Sequence, residues 1–193
     1  SAYVAEWWNT LSSLAIVGFG LHGWWRAKRP RFAFGYVLLA IVGLGSAAFH
    51  GTLLKLAQAS DELPMILTGL VFAYILARRN DAPAKPWFVA ALVGYGAIVL
   101  VAYFTLTGYF VFFLWAYAAI LTWLSIGTWR ASRESQTARR YFWMSVGAYL
   151  GGFALLWIPE HLLLACSHPL QRVQLHAPFH VTSRFGSYMW LRL

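Results

Sequence analysis

His176 and His180 stand four residues apart in the segment Leu175-His176-Ala177-Pro178-Phe179-His180. On a helix, residues at i and i+4 share a face, so both imidazoles can reach one point. His50 closes another apolar stretch far upstream, in Gly45-Ser46-Ala47-Ala48-Phe49-His50, where Ser46 and His50 again share a face. Three neutral imidazoles with an open fourth position are the ligand set of a catalytic zinc. With no cysteine beside them, nitrogen ligation favours zinc, although iron and manganese accept such donors too. Ionisable side chains cost a few kcal/mol each at membrane depth and are kept there for function. That matters because the chain around these histidines is apolar.

The chain is 60% hydrophobic and 18% aromatic but only 11% charged, against roughly 25% charged in a soluble domain. Mean hydropathy is +0.59. Apolar runs near the ~20-residue spanning length predict an all-α membrane protein, a seven-transmembrane helix bundle forming one domain over residues 1–193. The expected spans are Tyr3–Trp25, Phe32–Leu54, Leu63–Ala77, Pro86–Leu106, Tyr109–Trp129, Tyr141–Ala165 and Leu175–Leu193. Ser1 is not an initiator methionine and the last span is short, so further residues are expected at both ends. No cleavable signal is visible. The absence of an internal repeat and of paired broken helices argues against a transporter.

Charge orients these spans. Arg26, Lys28, Arg29 and Arg31 fill the first loop, Arg78, Arg79 and Lys85 the third, and Arg130, Arg133, Arg139 and Arg140 the fifth, whereas the alternate loops hold Lys55 and Arg172. The positive-inside rule then puts the N-terminus outside, lumenal or periplasmic, and the C-terminus in the cytoplasm. The net charge of +9 is membrane topology, not a phosphate-binding face, so nucleic acid is not an expected partner. The lone Cys166 excludes an internal disulfide and a cysteine-rich metal site. No feature of the sequence fixes an oligomeric state.

Asp81 and Glu134 fall in the basic loops, but Glu6, Asp61, Glu62 and Glu160 map to the outer ends of spans. So do His50, His161, His168, His176 and His180, with His22 alone at the other end. This segregation points to a polar site opening at the outer leaflet. Taken singly, each residue also has a plainer reading. Pro64 suits a first helical turn, where Asp61 and Glu62 would complement the helix dipole. Ser46 suits close helix packing, and His50 suits a hydrogen-bonded interfacial position. Glu160 and His161, after Pro159, read as a hydrated helix end ahead of partners for the metal ligands. Trp7, Trp8, Trp24 and Trp25 read as an interfacial aromatic belt.

Taken in order, the motifs resemble those of the alkaline ceramidases, within a wider group of seven-helix membrane hydrolases and receptors. They are Tyr3-Val4-Ala5-Glu6-Trp7-Trp8-Asn9-Thr10, Gly45-Ser46 through Phe49-His50, Asp61-Glu62-Leu63-Pro64-Met65, and His176-Ala177-Pro178-Phe179-His180 followed by Gly186-Ser187-Tyr188. The resemblance implies that His50, His176 and His180 bind zinc and that Ser46 and Asp61 complete the catalytic centre. It implies hydrolysis of the lipid ceramide to sphingosine and a fatty acid within the membrane. Asp61 would then shuttle a proton and Ser46 would donate to the oxyanion. In that family an acidic N-terminal stretch joins the residue matching Glu6 in holding calcium. That stretch is not among these 193 residues, and one carboxylate falls short of the 6–8 oxygens calcium takes. A polar N-terminal turn of Glu6 and Asn9 is the alternative. Two other activities belong to the same wider group: a lipid-remodelling esterase, and a lipid-sensing receptor with structural zinc. The Asp-Glu-Leu-Pro motif and the outside N-terminus favour the ceramidase.

Overall fold

The computed structural model describes residues 4–160 and 175–192. Among these residues run seven α-helices: α1 (Trp7–Arg26), α2 (Pro30–Thr52), α3 (Lys55–Ala77), α4 (Pro86–Thr105), α5 (Tyr109–Ser132), α6 (Gln136–Gly152) and α7 (His176–Trp190). Helix α6 runs on into a π turn over Phe153–Trp157. His161, Cys166, His168, Arg172 and the end of the expected sixth span lie outside the described residues.

Helices α2, α3, α4 and α5 are long and apolar enough to cross a membrane. The other three depart from the expected spans for local reasons. Helix α7 has 15 residues, short of the ~20 that a bilayer core asks for, and α6 reaches that length only with the π turn that continues it. Helix α1 has 20 residues but carries Asn9, Thr10, Ser12, Ser13 and His22.

Each helix finds its neighbours in a closed circuit. Helix α1 packs on α2, α2 on α3, α3 on α5, α5 on α6, α6 on α7, and α7 back on α1. Helix α4 stands outside this ring against α3 and α5, burying only Val99 and Tyr103. Ile16, Leu39 and Val42 are among the side chains sealed between α1 and its neighbours.

The expected boundary of the third span is corrected. Helix α3 starts at Lys55, about two turns before Leu63, so Asp61 and Glu62 lie inside the helix and its first turn holds no acid. Pro64 therefore sits in the helix interior, where it supplies no N–H to the carbonyl of Ser60 and its ring crowds that oxygen. The Ser60 carbonyl lies against Gly45 of α2, where any Cβ would collide with it. Glycine thus admits the carbonyl that proline has displaced, and α3 closes onto α2 beside Ser46. The polar residues Lys55, Gln58 and Ser60 disguise this start as a loop. Helix α6 likewise starts before the expected Tyr141, because the Ser135 hydroxyl accepts from the Ala138 N–H at 3.0 Å, an N-cap.

At one end of the ring the basic loops are tied together. Arg29 and Arg31 both reach Asp81, at 2.7 and 2.8 Å, and Arg79 reaches Glu134 at 2.6 Å. Asp81 has a left-handed φ of 60°, a conformation that aspartate tolerates better than most residues. Its hydrogen bond from Arg31, seconded by Arg29, holds its carboxyl below the usual range.

Candidate metal centre

The opposite end of the ring gathers the histidines. His50 comes from the last turn of α2, and His176 and His180 from the first two turns of α7. One ligand atom from each lies within 4.8 Å of the others, and the ring centroids are 4.5–5.2 Å apart. His50 and His180 are buried and His176 is partly buried.

Each ring presents Nδ1 to a neighbour. His50 Nδ1 lies 2.5 Å from Glu6 Oε2. His180 Nδ1 lies 3.0 Å from Ser12 Oγ and 3.3 Å from Ser13 Oγ. His176 Nδ1 lies 3.6 Å from Glu160 Oε2. An ionised carboxylate can only accept, so Glu6 takes the Nδ1–H of His50, while Glu160 stands beside His176 at a distance too long for a hydrogen bond. Ser12 donates to the carbonyl of Asn9 at 3.0 Å, which leaves its oxygen to accept from His180, while the one proton of Ser13 lies within reach of both the Asn9 carbonyl and Ser46 Oγ, at 2.7 and 3.1 Å. These contacts set the Nδ1–H tautomer of His50 and His180 and leave Nε2 as the lone-pair nitrogen in both rings. His50 Nε2 is buried with no hydrogen-bond partner, a condition that costs about 1–3 kcal/mol when left unmet. A metal ion held by the three rings would meet it. The donor set fits a metal.

The supports of these rings come from elements distant in sequence. Ala5 and Glu6 donate backbone N–H groups to the carbonyls of Gly51 and His50, at 3.1 and 2.9 Å. Asn9 Nδ2 donates to Glu6 Oε2 at 3.0 Å. Glu6 is thereby pinned through both backbone and side chain. The hydrogen bond from His50 holds its carboxyl below the usual range, against the burial that opposes it. On the other side, the π turn ending α6 adds residues per turn and so rotates the face that follows. Glu160 emerges there beside His176.

One turn deeper lies a second polar layer. The Ser46 hydroxyl shares a 3.1 Å hydrogen bond with Ser13 and is fully buried. Asp61 is also buried, and Arg184, His50 and Ser46 all act on its carboxylate. Asp61 Oδ1 has no hydrogen-bond partner. The fold thus brings together Glu6, Ser46, His50, Asp61, His176 and His180, every site residue expected from sequence. Glu62 takes a different environment, accepting from Tyr103 at 2.6 Å and from Gln58 at 2.9 Å. His22 sits at the far end against the Tyr188 hydroxyl, at 2.9 Å.

Several members escaped the sequence reading. Ser12 and Ser13 were not singled out, and Asn9 entered only as part of a polar N-terminal turn with Glu6, though their spacing of three and four residues marks one helix face. Glu160 read as a hydrated helix end but approaches His176. Arg184 extends the i, i+4 series of His176 and His180 by one more turn, a signal present but unused.

A family model described as "Ceramidase" matches residues 1–193. A putative alkaline ceramidase of Dictyostelium discoideum, dcd3B, is 25% identical over 230 aligned residues, covering 100% of this chain and 80% of that protein. Alkaline ceramidase 3 of Mus musculus is 27% identical over 211 residues, covering 97% of this chain and 75% of its own length. A second Dictyostelium discoideum protein, the putative alkaline ceramidase dcd3A, is 36% identical over 115 residues, which are 49% of this chain and 40% of that one.

Proposed function

The chain belongs to the ceramidase family, and from that premise we propose that it is a zinc-dependent amidase cleaving ceramide to sphingosine and a fatty acid inside a seven-helix membrane bundle. The observation that carries this reading is the pairing of two layers. Three histidines, each with a ligand atom within 4.8 Å of the others, stand over a buried Asp61 whose Oδ1 has no partner.

His50, His176 and His180 would hold the zinc, which when bound would supply a water of lowered pKa, roughly 7, and polarise a carbonyl. The chain's own residues manage the protons. Asp61 accepts a proton as the water oxygen bonds to the amide carbon, and returns one to the nitrogen as the C–N bond breaks. Ser46, steadied by Ser13, donates to the carbonyl oxygen as negative charge collects there. Glu6 and Ser12 hold the His50 and His180 rings in one tautomer and orientation, and Glu160 lies beside His176. Glu6 is read here as the carboxylate partner of His50 instead of a calcium ligand, since Oε2 already serves His50 and Asn9. The loop charges support a site facing outward, with the Asp81 end in the cytoplasm.

The test is purified protein incubated with defined ceramides, with products identified by mass spectrometry and zinc measured on the same preparation. Asp61→Asn is nearly isosteric, so zinc and fold should survive while turnover falls by roughly 10²–10⁴-fold. Undiminished turnover in Asp61→Asn would remove the proton-shuttle role. A zinc-loaded parent that cleaves no ceramide would favour a lipid-sensing receptor.

A further inference from the structure

Arg184 is a buried cation that the amidase reading leaves without a task. It follows His180 by one turn on α7 and is 6% exposed. Tyr117 of α5 and Tyr149 of α6 act on its guanidinium, Tyr117 through a side-chain hydrogen bond, and Tyr149 is itself held by Ser187 at 2.6 Å. Among the described residues no carboxylate forms an ion pair with it, and its Nε has no partner. Asp61 and His180 nevertheless both sense its charge, which puts the guanidinium beside the reacting layer. A buried charge with no carboxylate at ion-pair distance, and only the longer-range attraction of Asp61, is costly to keep as packing, and in a membrane bundle it marks function by default.

The reaction creates one anion. As the water oxygen bonds to the acyl carbon, the carbonyl electron pair moves onto its oxygen. The C–N bond then breaks, the nitrogen takes the proton carried by Asp61, and the new carboxylic acid loses its own. Amide and water become carboxylate and ammonium. A fixed cation attracts the first product and repels the second. Arginine suits the carboxylate further, because its planar fork matches two oxygens at once. We propose that Arg184 is an acyl-side binding subsite, holding the substrate's carbonyl oxygen and, most tightly, the carboxylate of the released fatty acid. The proposal rests on the amidase reading and predicts inhibition by fatty acid but not by sphingosine.

The test compares direct binding of palmitate and hexadecanol, equal in chain length, to the purified full chain. The parent should prefer the acid. In Arg184→Met that preference should fall about ten- to hundredfold, the range of a charged hydrogen bond, while hexadecanol binding stays the same. Any metal contribution is common to both proteins and cancels in the comparison. Should Arg184→Met not fold, Arg184→Lys keeps the charge but not the fork and should lose several-fold in palmitate affinity. An undiminished preference in whichever variant folds, or no preference in the parent, overturns the subsite. Failure of the parent to cleave ceramide would instead sink the amidase reading, whatever the binding result.

Discussion

At the scale of single residues, the metal centre is defined as much by Nδ1 as by Nε2. Glu6 accepts from His50 Nδ1, and such carboxylate supports typically change metal affinity by 10–100-fold when mutated. Glu6→Gln should therefore weaken metal binding by about that factor in a chelator competition, with the fold intact. Equal affinity in parent and variant would strip Glu6 of this role. The three histidines were legible in the sequence because residue type and spacing already imply a ligand set. Their supports were not. Ser12 and His180 are 168 positions apart, and a serine in an apolar helix has many ordinary uses. Only the fold, which returns α7 to α1, gives this serine a specific one.

At the scale of elements, the contact between Gly45 and Ser60 decides where Asp61 points. Pro64 displaces a carbonyl from the α3 ladder, and Gly45 gives that carbonyl room. Gly45→Ala forces the two helices apart and should cost about 1–3 kcal/mol, the usual range for overpacking. Turnover should fall more than metal content does, because His50 stays on its own helix while Asp61 moves relative to it. Thermal melting, metal analysis and ceramide hydrolysis on one preparation would separate these effects. A variant with parental melting and activity would show that this contact does not position Asp61. The existence of the apolar helices was readable from long hydrophobic runs. The start of α3 was not, because a proline after two acids imitates a helix N-terminus. The interior position of Pro64 depends on a partner glycine that no local pattern reveals.

At the scale of the whole molecule, polarity divides the bundle into two ends with different work. One end holds the candidate metal centre and the other a knot of arginine–carboxylate pairs. The proposed orientation predicts that, with Cys166 replaced by serine, a cysteine at exposed Leu56 reacts with an impermeant reagent from outside. A cysteine at Ala82 should react only from inside. The opposite pattern would invert the topology. The knot itself depends on pH. The carboxyl of Asp81 is held low in the folded state, so its stabilisation is present at neutral pH and lost as pH falls through that lowered value. Asp81→Asn keeps a side chain that tolerates the left-handed backbone. It should melt below the parent at neutral pH, and the gap should close in strong acid and shrink in high salt, because the pair is exposed. A gap that persists in acid would mean that something other than the carboxylate charge is lost.

The closure of the ring by α7 on α1 also sets an order of events during synthesis. In the proposed centre, His50, Ser46 and Asp61 leave the ribosome long before His176, His180 and Arg184, so a chain stalled ahead of α7 carries one of the three histidines. Only the packing of α7 beside α1 brings the two sets together, so the full ligand set would exist only after assembly. A half-made copy would then lack the means to attack the bilayer that is receiving it.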